Sequence, residues 1–346
     1  MSFTSDSTST AGSGKASPGD FVSAPGNSFS RMRREDAPAP RRSRLLGLAA
    51  WLIAGGCACA WSQIQDYRIG VKVELVSLFA TVQDRSGKLV TGLNRDDFVI
   101  YDNGVPQMIS QFSREYIPLS VIILLDTSSS MDSGRKLDNA KKALVQFLRR
   151  LRAGDEAMLM TFRTRARVVQ GFTQELAKLT HELNRLDANE STALYDAILS
   201  ALREVQGARN RRRALLLISD GVNTYGKSQL REAISELRRA GVELFAIGLE
   251  SGLPEDMKEK VITREVLDQL TRSAGGEAFV VSEPKNLARI CATISDRMHN
   301  QYAFGYYPSR REDHQWRSIR LEAKIPGLKV TASKTGYYPA AEARPQ

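Results

Sequence analysis

Residues Val121 to Leu125 form an unbroken apolar run that ends in one carboxylate, Asp126, followed by hydroxyls at Ser128 and Ser130. An uninterrupted β-branched and leucine run suits a central strand covered on both faces. Ligands of open α/β sheets gather where the carboxyl ends of such strands meet their loops. This one stretch therefore predicts a sheet layered between helices, with oxygen-bearing side chains at its functional edge.

The pattern downstream agrees. Leu137, Ala140, Leu144, Phe147, Leu148 and Leu151 mark one face of a helix, and strands are expected at Met158 to Phe162 and Val168 to Phe172. Helices follow over Glu175 to Leu186 and Ala193 to Val205, then strand Ala214 to Ser219, helix Gln229 to Ala240, strand Val242 to Leu249, helix Val266 to Ser273, strand Ala278 to Val281 and helix Asn286 to Met298. Repeated alternation of this kind predicts an α/β fold: a doubly wound, mostly parallel sheet.

The flanks have a different rhythm. Val71 to Gln83 alternates as a strand should, and Phe98 to Asp102 and Val105 to Phe112 bracket Asn103-Gly104, a hairpin signal. Tyr302 to Tyr307, Ile319 to Ala323 and Leu328 to Ala332 read as further strands, the last two joined by Pro326-Gly327. Neither flank holds enough apolar residues to stand alone. They are expected to pair into one small antiparallel, β-sandwich-like domain, residues 66–117 and 301–340, with the α/β domain, 119–300, inserted between them.

Residues 1–31 are rich in Ser, Thr, Gly and Pro and poor in large aliphatics, so they are expected to be disordered, or to be an overlong start with Met32 as initiator. Residues 32–60 have the order of a secretory signal: basic residues from Arg33 to Arg44, the apolar run Leu45 to Ala54, and small residues at Ala58-Cys59-Ala60. Export to the periplasm, envelope or exterior is the expectation, with an uncleaved anchor or acylation at Cys57 as the alternatives. Cleavage after Ala60 would leave Cys291 as the one thiol, and its helical spacing with Leu287 and Ile294 marks it for packing.

The formal net charge is +10, part of it in the signal region. The densest basic cluster, Arg209, Arg211, Arg212 and Arg213, lacks interleaved aromatics to stack on bases, so it reads as a solvated loop and nucleic acid is not expected as a partner. Glycine-rich phosphate loops are absent.

Asp126-Thr127-Ser128-Ser129-Ser130 matches a D-x-S-x-S signature, and Ser191-Thr192-Ala193-Leu194-Tyr195-Asp196 and Ile218-Ser219-Asp220-Gly221 follow at compatible spacing. Over residues 119–300 the chain thereby resembles von Willebrand factor type A domains. The segments Gly92 to Phe98, Asn300 to Pro308 and Gly336 to Pro339 resemble an exported, acidobacterial subgroup of related proteins. The resemblance implies a metal-ion-dependent adhesion site formed by Asp126, Ser128, Ser130, Thr192 and Asp220.

Hydroxyls and few carboxylates suit Mg2+, with Mn2+ or Ca2+ as substitutes, because hard cations prefer oxygen donors. Mainly neutral ligands would leave the cation able to accept an Asp or Glu oxygen from a protein partner. Asn189-Glu190-Ser191 departs from the glycines frequent in relatives, and Asn223 stands where an acid is common. Asp126-Thr127-Ser128 lacks the second carboxylate of an aspartyl phosphatase, and no serine sits in a nucleophile elbow, so the expectation is a binding module, not an enzyme. A structural envelope component with a vestigial site is the second reading.

Glu156, Asp187, Asp196 and Asp268 read as solvated or capping groups and His181, His299 and His314 as surface residues. Tyr306, Tyr307, Tyr337 and Tyr338 are expected to pack in or against the β domain.

Overall fold

The computed structural model describes residues 75–339, apart from 190, 221, 222, 224, 251–256 and 310–314. The expectations for 1–31, for the signal segment 32–60, and for Glu190 and His314 lie outside the described residues. Four strands come first: β1 (Val76–Gln83), β2 (Phe98–Asp102), β3 (Val105–Gln107) and β4 (Ile109–Ser113). The alternating part runs β5 (Leu119–Asp126), α1 (Lys136–Leu148), β6 (Glu156–Phe162), β7 (Ala166–Thr173), α2 (Leu176–Asn184), α3 (Leu194–Glu204), β8 (Arg212–Ser219), α4 (Leu230–Ala240), β9 (Glu243–Leu249), α5 (Met257–Ala274), β10 (Glu277–Val281) and α6 (Leu287–His299). Strands β11 (Tyr302–Tyr306), β12 (Arg317–Ala323), β13 (Lys329–Ala332) and β14 (Gly336–Tyr337) close the chain.

The central sheet has the order β10-β9-β8-β5-β6-β7 and is parallel except for β7, which pairs antiparallel with β6. Every residue of β5 is buried. Strand pleating sends Val121, Ile123 and Leu125 to one side, into a core with Leu144 and Phe147 of α1 and Ile294 and Met298 of α6. Ile122 and Leu124 point the other way, onto Leu194 and Ile198 of α3, Leu237 of α4 and Leu270 of α5. Each such side chain contributes about 1.5–3 kcal/mol of transfer free energy, so the continuous apolar run is satisfied only by a strand covered twice. The chain leaves β5 for β6 on one side, while β8 lies on the other. Loops after β5 and β8 therefore diverge and open a crevice at the carboxyl end of the sheet.

Helix α4 ends at Gly241, whose φ of 61° continues the chain in the left-handed region. Helix α5 is longer than the Val266 to Ser273 expected; no glycine or proline interrupts 257–274, and local propensity carries the helix back to Met257.

The flanks pair with each other, as their apolar content required. One antiparallel sheet is β13-β1-β11-β4 and the second is β14-β12-β2-β3, so each takes strands from both ends of the chain. Leu78, Ala80, Phe98, Ile100, Phe304, Tyr306 and Ile319 fill one core between them. One expectation needs correction. Val105 to Phe112 is not one strand: it breaks at Met108, which is 82% exposed, so that β3 pairs with β2 in one sheet while β4 pairs with β11 in the other. Pro106 fits because β3 is an edge strand, where a missing N–H is tolerated. Pro326-Gly327 does join β12 and β13, and these two strands lie in different sheets. A single alternating pattern cannot reveal a change of sheet, because inward residues stay inward on both sides of the corner.

The arginine cluster is the second correction. Arg212 is not in a solvated loop but opens β8, 4% exposed, with its guanidinium over the Phe79 ring of β1 and hydrogen-bonded to the carbonyl of Met298. His299 is also buried, not superficial: Nε2 meets Asp155 Oδ2 at 2.8 Å and Nδ1 meets Ser295 Oγ at 3.2 Å. Glu156, expected to be solvated or capping, is buried and accepts from Ser120 Oγ at 2.6 Å and from the Arg209 N–H at 2.7 Å. In each case a buried partner far along the chain converts a polar residue into an internal anchor.

Candidate metal centre

Strand β5 delivers Asp126 to the crevice with no exposed surface at all. Its Oδ1 accepts the Ser128 N–H at 2.8 Å, a short local turn, and its Oδ2 accepts Ser219 Oγ from the end of β8 at 2.6 Å. One carboxylate oxygen is thus oriented by its own following loop and the other by the neighbouring strand β8. Burial is the main reason that the Asp126 carboxyl is pushed up to about 6; the hydrogen bonds from Ser219 and Ser128 pull against it, and the charge of Asp220 adds to it.

A chain of oxygens leads on from there. Ser128 Oγ is 3.1 Å from Ser130 Oγ, and Ser130 Oγ donates to Asp220 Oδ1 at 2.7 Å. The second oxygen of Asp220 receives Lys136 Nζ at 2.5 Å, from the first turn of α1. Two turns of 3-10 helix, Ser129–Met131 and Ser133–Arg135, bring the chain round between these contacts, with Met131 buried beneath as the anchor.

Thr192 enters through its backbone. It is buried in the connection between α2 and α3, and its carbonyl accepts the Tyr225 N–H at 2.9 Å. On either side of it, the Asn189 N–H reaches the Thr127 carbonyl at 2.8 Å and the Ala193 N–H reaches the Arg163 carbonyl at 2.7 Å. The loops after β5, β6 and β8 and the α2–α3 connection therefore meet at one place. Asp126, Ser128, Ser130 and Asp220 share a hydrogen-bonded chain, and Thr192 stands in a segment sewn to both sides of it.

Three participants were not singled out in the sequence. Ser219 holds Asp126, Lys136 holds Asp220, and Arg163 donates from Nε to Thr127 Oγ1 at 3.1 Å and from Nη2 to the Asp187 carbonyl at 2.6 Å. Ser219 could have been found as the last strand residue beside the acid. Lys136 and Arg163 carry no signal of spacing, because their roles come from tertiary proximity.

The other candidates lie elsewhere. Asn223 Oδ1 accepts the Tyr195 N–H at 3.3 Å, and Asp196 accepts backbone N–H groups of Lys227 and Ser228 at 3.1 Å each, both loop-fixing roles. Asp187 and His181 are exposed, and Asp268 pairs with Arg272 one helical turn on. Cys291 is buried, and burial pushes its thiol up to about 12, consistent with packing. Tyr306 and Tyr337 both donate to Asp102 inside the β domain, whereas Tyr307 and Tyr338 are about half exposed, Tyr338 lying edge-on to Trp316.

The family model described as the von Willebrand factor type A domain matches residues 121–223. Inter-alpha-trypsin inhibitor heavy chain H4 of Sus scrofa is 28% identical over 159 residues, 42% of this chain and 17% of that protein. Heavy chain H1 of Sus scrofa is 24% identical over 198 residues, 52% of this chain and 22% of that one, so the chain spans about a fifth of the length of these relatives. A solved structure, a von Willebrand factor type A protein from Catenulispora acidiphila, shows 16% identity and a TM-score of 0.47, over 77% of this chain and 74% of that chain. The matched stretch opens on the strand that carries Asp126 and runs past Asp220, so this part of the chain is similar to the von Willebrand factor type A domain.

Proposed function

We propose that this protein is an exported adhesion-type module, not an enzyme, that captures a protein partner through a divalent cation held by Asp126, Ser128, Ser130, Thr192 and Asp220. The observation that carries this reading is the continuous run of oxygen donors from Asp126 through Ser128 and Ser130 to Asp220, contributed by two loops at the switch point of the sheet. Among the described residues no three His, Cys, Asp or Glu side chains gather as a metal site. The donors here are two carboxylates and several hydroxyls, a set suited to a hard cation. The ammonium of Lys136 on Asp220 is a positive charge already drawn to the cluster, which supports the fit.

A bound Mg2+, or Mn2+ or Ca2+ in its place, would supply an electrophilic acceptor for a carboxylate of the partner. The protein's own residues do the rest. Ser219 and the Ser128 N–H fix the Asp126 carboxylate, and burial strips it of competing water. Arg163, by tying Thr127 to the Asp187 carbonyl, holds the loop that carries Thr192 against the loop that carries the serines. The signal-like order of residues 32–60 supports the exported setting.

Calorimetric titration of the full chain with Mg2+ and Mn2+ tests this reading. Wild type should bind one ion, Asp126→Ala should bind none while keeping its circular dichroism, and capture of envelope proteins should be lost in EDTA. Metal-independent capture by both proteins would overturn it.

A further inference from the structure

We propose that the arginine-lined groove beside the metal cluster is the docking cleft for an extended, acidic polypeptide segment, the stretch of partner chain that flanks the captured carboxylate. This rests on the metal-dependent reading above and specifies the chemistry of the partner.

The β6–β7 turn lies at the same end of the sheet as Asp126, because Phe162 pairs with Asp126 and its carbonyl accepts the Thr127 N–H at 3.0 Å. Between this turn, β7 and the end of α2 is a cleft of about 680 Å3, lined by Arg163, Arg165, Arg167 and Arg185 together with Glu182 and Asp187. Four guanidinium groups thus face two carboxylates. Glu182 is engaged by Arg185 at 3.7 Å, and Arg163 is committed to Thr127 and the Asp187 carbonyl. Arg165 and Arg167 are exposed and, among the described residues, have no ion-pair partner. Guanidinium groups bind carboxylates through paired N–H donors, so two of them beside a site that takes one carboxylate favour a ligand carrying several.

The groove also distinguishes a polypeptide from other polyanions. Strand β7 is the outermost strand of the central sheet and exposes Arg167 and Val168. Its outer edge presents backbone N–H and C=O groups to an added strand, a recognition mode that an extended peptide fits and a polysaccharide does not. Arg167 would meet the acidic side chains of that strand.

The test measures fluorescence anisotropy of a labelled oligoglutamate peptide on the full chain, in Mg2+ and in EDTA, with Arg165→Gln/Arg167→Gln and Asp126→Ala as variants. The double variant should lose affinity by about ten-fold or more and show a flatter salt dependence, while its Mg2+ heats and circular dichroism match wild type. Lysine at both positions should restore only part of the affinity, because it returns the charge without the paired donors. Equal peptide affinity in wild type and the double variant would overturn the inference while leaving the metal reading intact, and so would an arginine-dependent preference for a sulfated glycan over the peptide. Failure of the metal reading shows separately, as absent Mg2+ heats in wild type. Arginine-dependent peptide binding that persists in EDTA would then support the groove alone.

Discussion

Lys136 Nζ lies 2.5 Å from Asp220 Oδ2, and the Asp220 side chain is almost wholly enclosed by that contact and the Ser130 hydroxyl. A lysine on the first turn of α1 thus neutralises the acid that closes the oxygen cluster. In the proposed metal site a cation and this ammonium would compete for the same carboxylate, so the lysine would set how much affinity the cluster can express.

Lys136→Met should therefore raise Mg2+ affinity by roughly ten-fold, about 1.4 kcal/mol, a conservative fraction of the Coulomb attraction at this separation. The metal-free variant should also be less stable, since Asp220 then repels Asp126 without a counter-charge. Calorimetry gives the first quantity and thermal melts with and without Mg2+ the second. Unchanged or weaker metal binding would show that Lys136 supports the site and does not oppose it.

Asp126→Asn keeps the size of the side chain and an acceptor for the Ser128 N–H, but removes the charge. The fold should persist, and the rise in melting temperature expected for wild type in Mg2+ should be absent. Stabilisation by a ligand follows its occupancy, about 2.7 kcal/mol at a hundred-fold excess over Kd. A melting temperature still raised by Mg2+ in this variant would remove Asp126 from the ligand set.

How much of this was readable beforehand differs by level. The apolar run ending in Asp126 and the alternation after it were enough for the central sheet, because a strand covered on both faces has a distinctive composition. The pairing of the two flanks followed from their shortage of apolar residues. The corners of the sandwich did not, since Met108 and Pro326-Gly327 preserve the inward-outward pattern while changing sheet. At the site, Asp126, Ser128, Ser130 and Asp220 were marked by motif. Lys136 and Arg163 were not, because contacts made across 84 residues for Lys136 and across 24 and 36 for Arg163 leave no local signature. The buried states of Arg212, His299 and Glu156 were missed for the same reason: polar residues look alike in sequence whether water or a distant partner satisfies them.

Asp155 offers a pH prediction. It accepts the N–H groups of Leu119 and Arg152, each at 2.8 Å, together with Nε2 of His299 and the hydroxyl of Tyr116, joining β5, the turn before β6 and the end of α6. Burial works to raise its pKa, but the hydrogen bonds from His299, Tyr116 and the two N–H groups outweigh that, and the net shift is downward. A carboxyl held below its unfolded value of 3.8 adds stability that is fully present above that value and is lost as pH falls through the lower folded one. Asp155→Asn should cost about 2–4 kcal/mol at neutral pH. In urea denaturation followed from neutral pH down past 3.8, the gap between wild type and variant should narrow at the acid end; a constant gap would mean that lost packing, not charge, accounts for the cost.

Asp102 plays a matching part in the β domain, and its removal is the sharper test of that domain's design. It is fully buried, and its Oδ1 accepts Arg317 Nε at 2.8 Å while its Oδ2 accepts the hydroxyls of Tyr306 at 2.9 Å and Tyr337 at 2.8 Å. These contacts bind β2 to β12, β14 and, across the sandwich, β11, so strands from both ends of the chain depend on one carboxylate. Asp102→Ala leaves a buried guanidinium without this counter-charge and two hydroxyls without this acceptor, and should cost about 3–5 kcal/mol. Asp102→Leu combined with Arg317→Met removes both charges and should recover much of that loss, because a buried ion pair stabilises little relative to apolar residues of similar volume. Urea denaturation of wild type, Asp102→Leu, Arg317→Met and the double variant closes a cycle that measures the coupling. If the double variant is as unstable as the sum of the single ones, the tyrosine hydroxyls and not the ion pair carry the network.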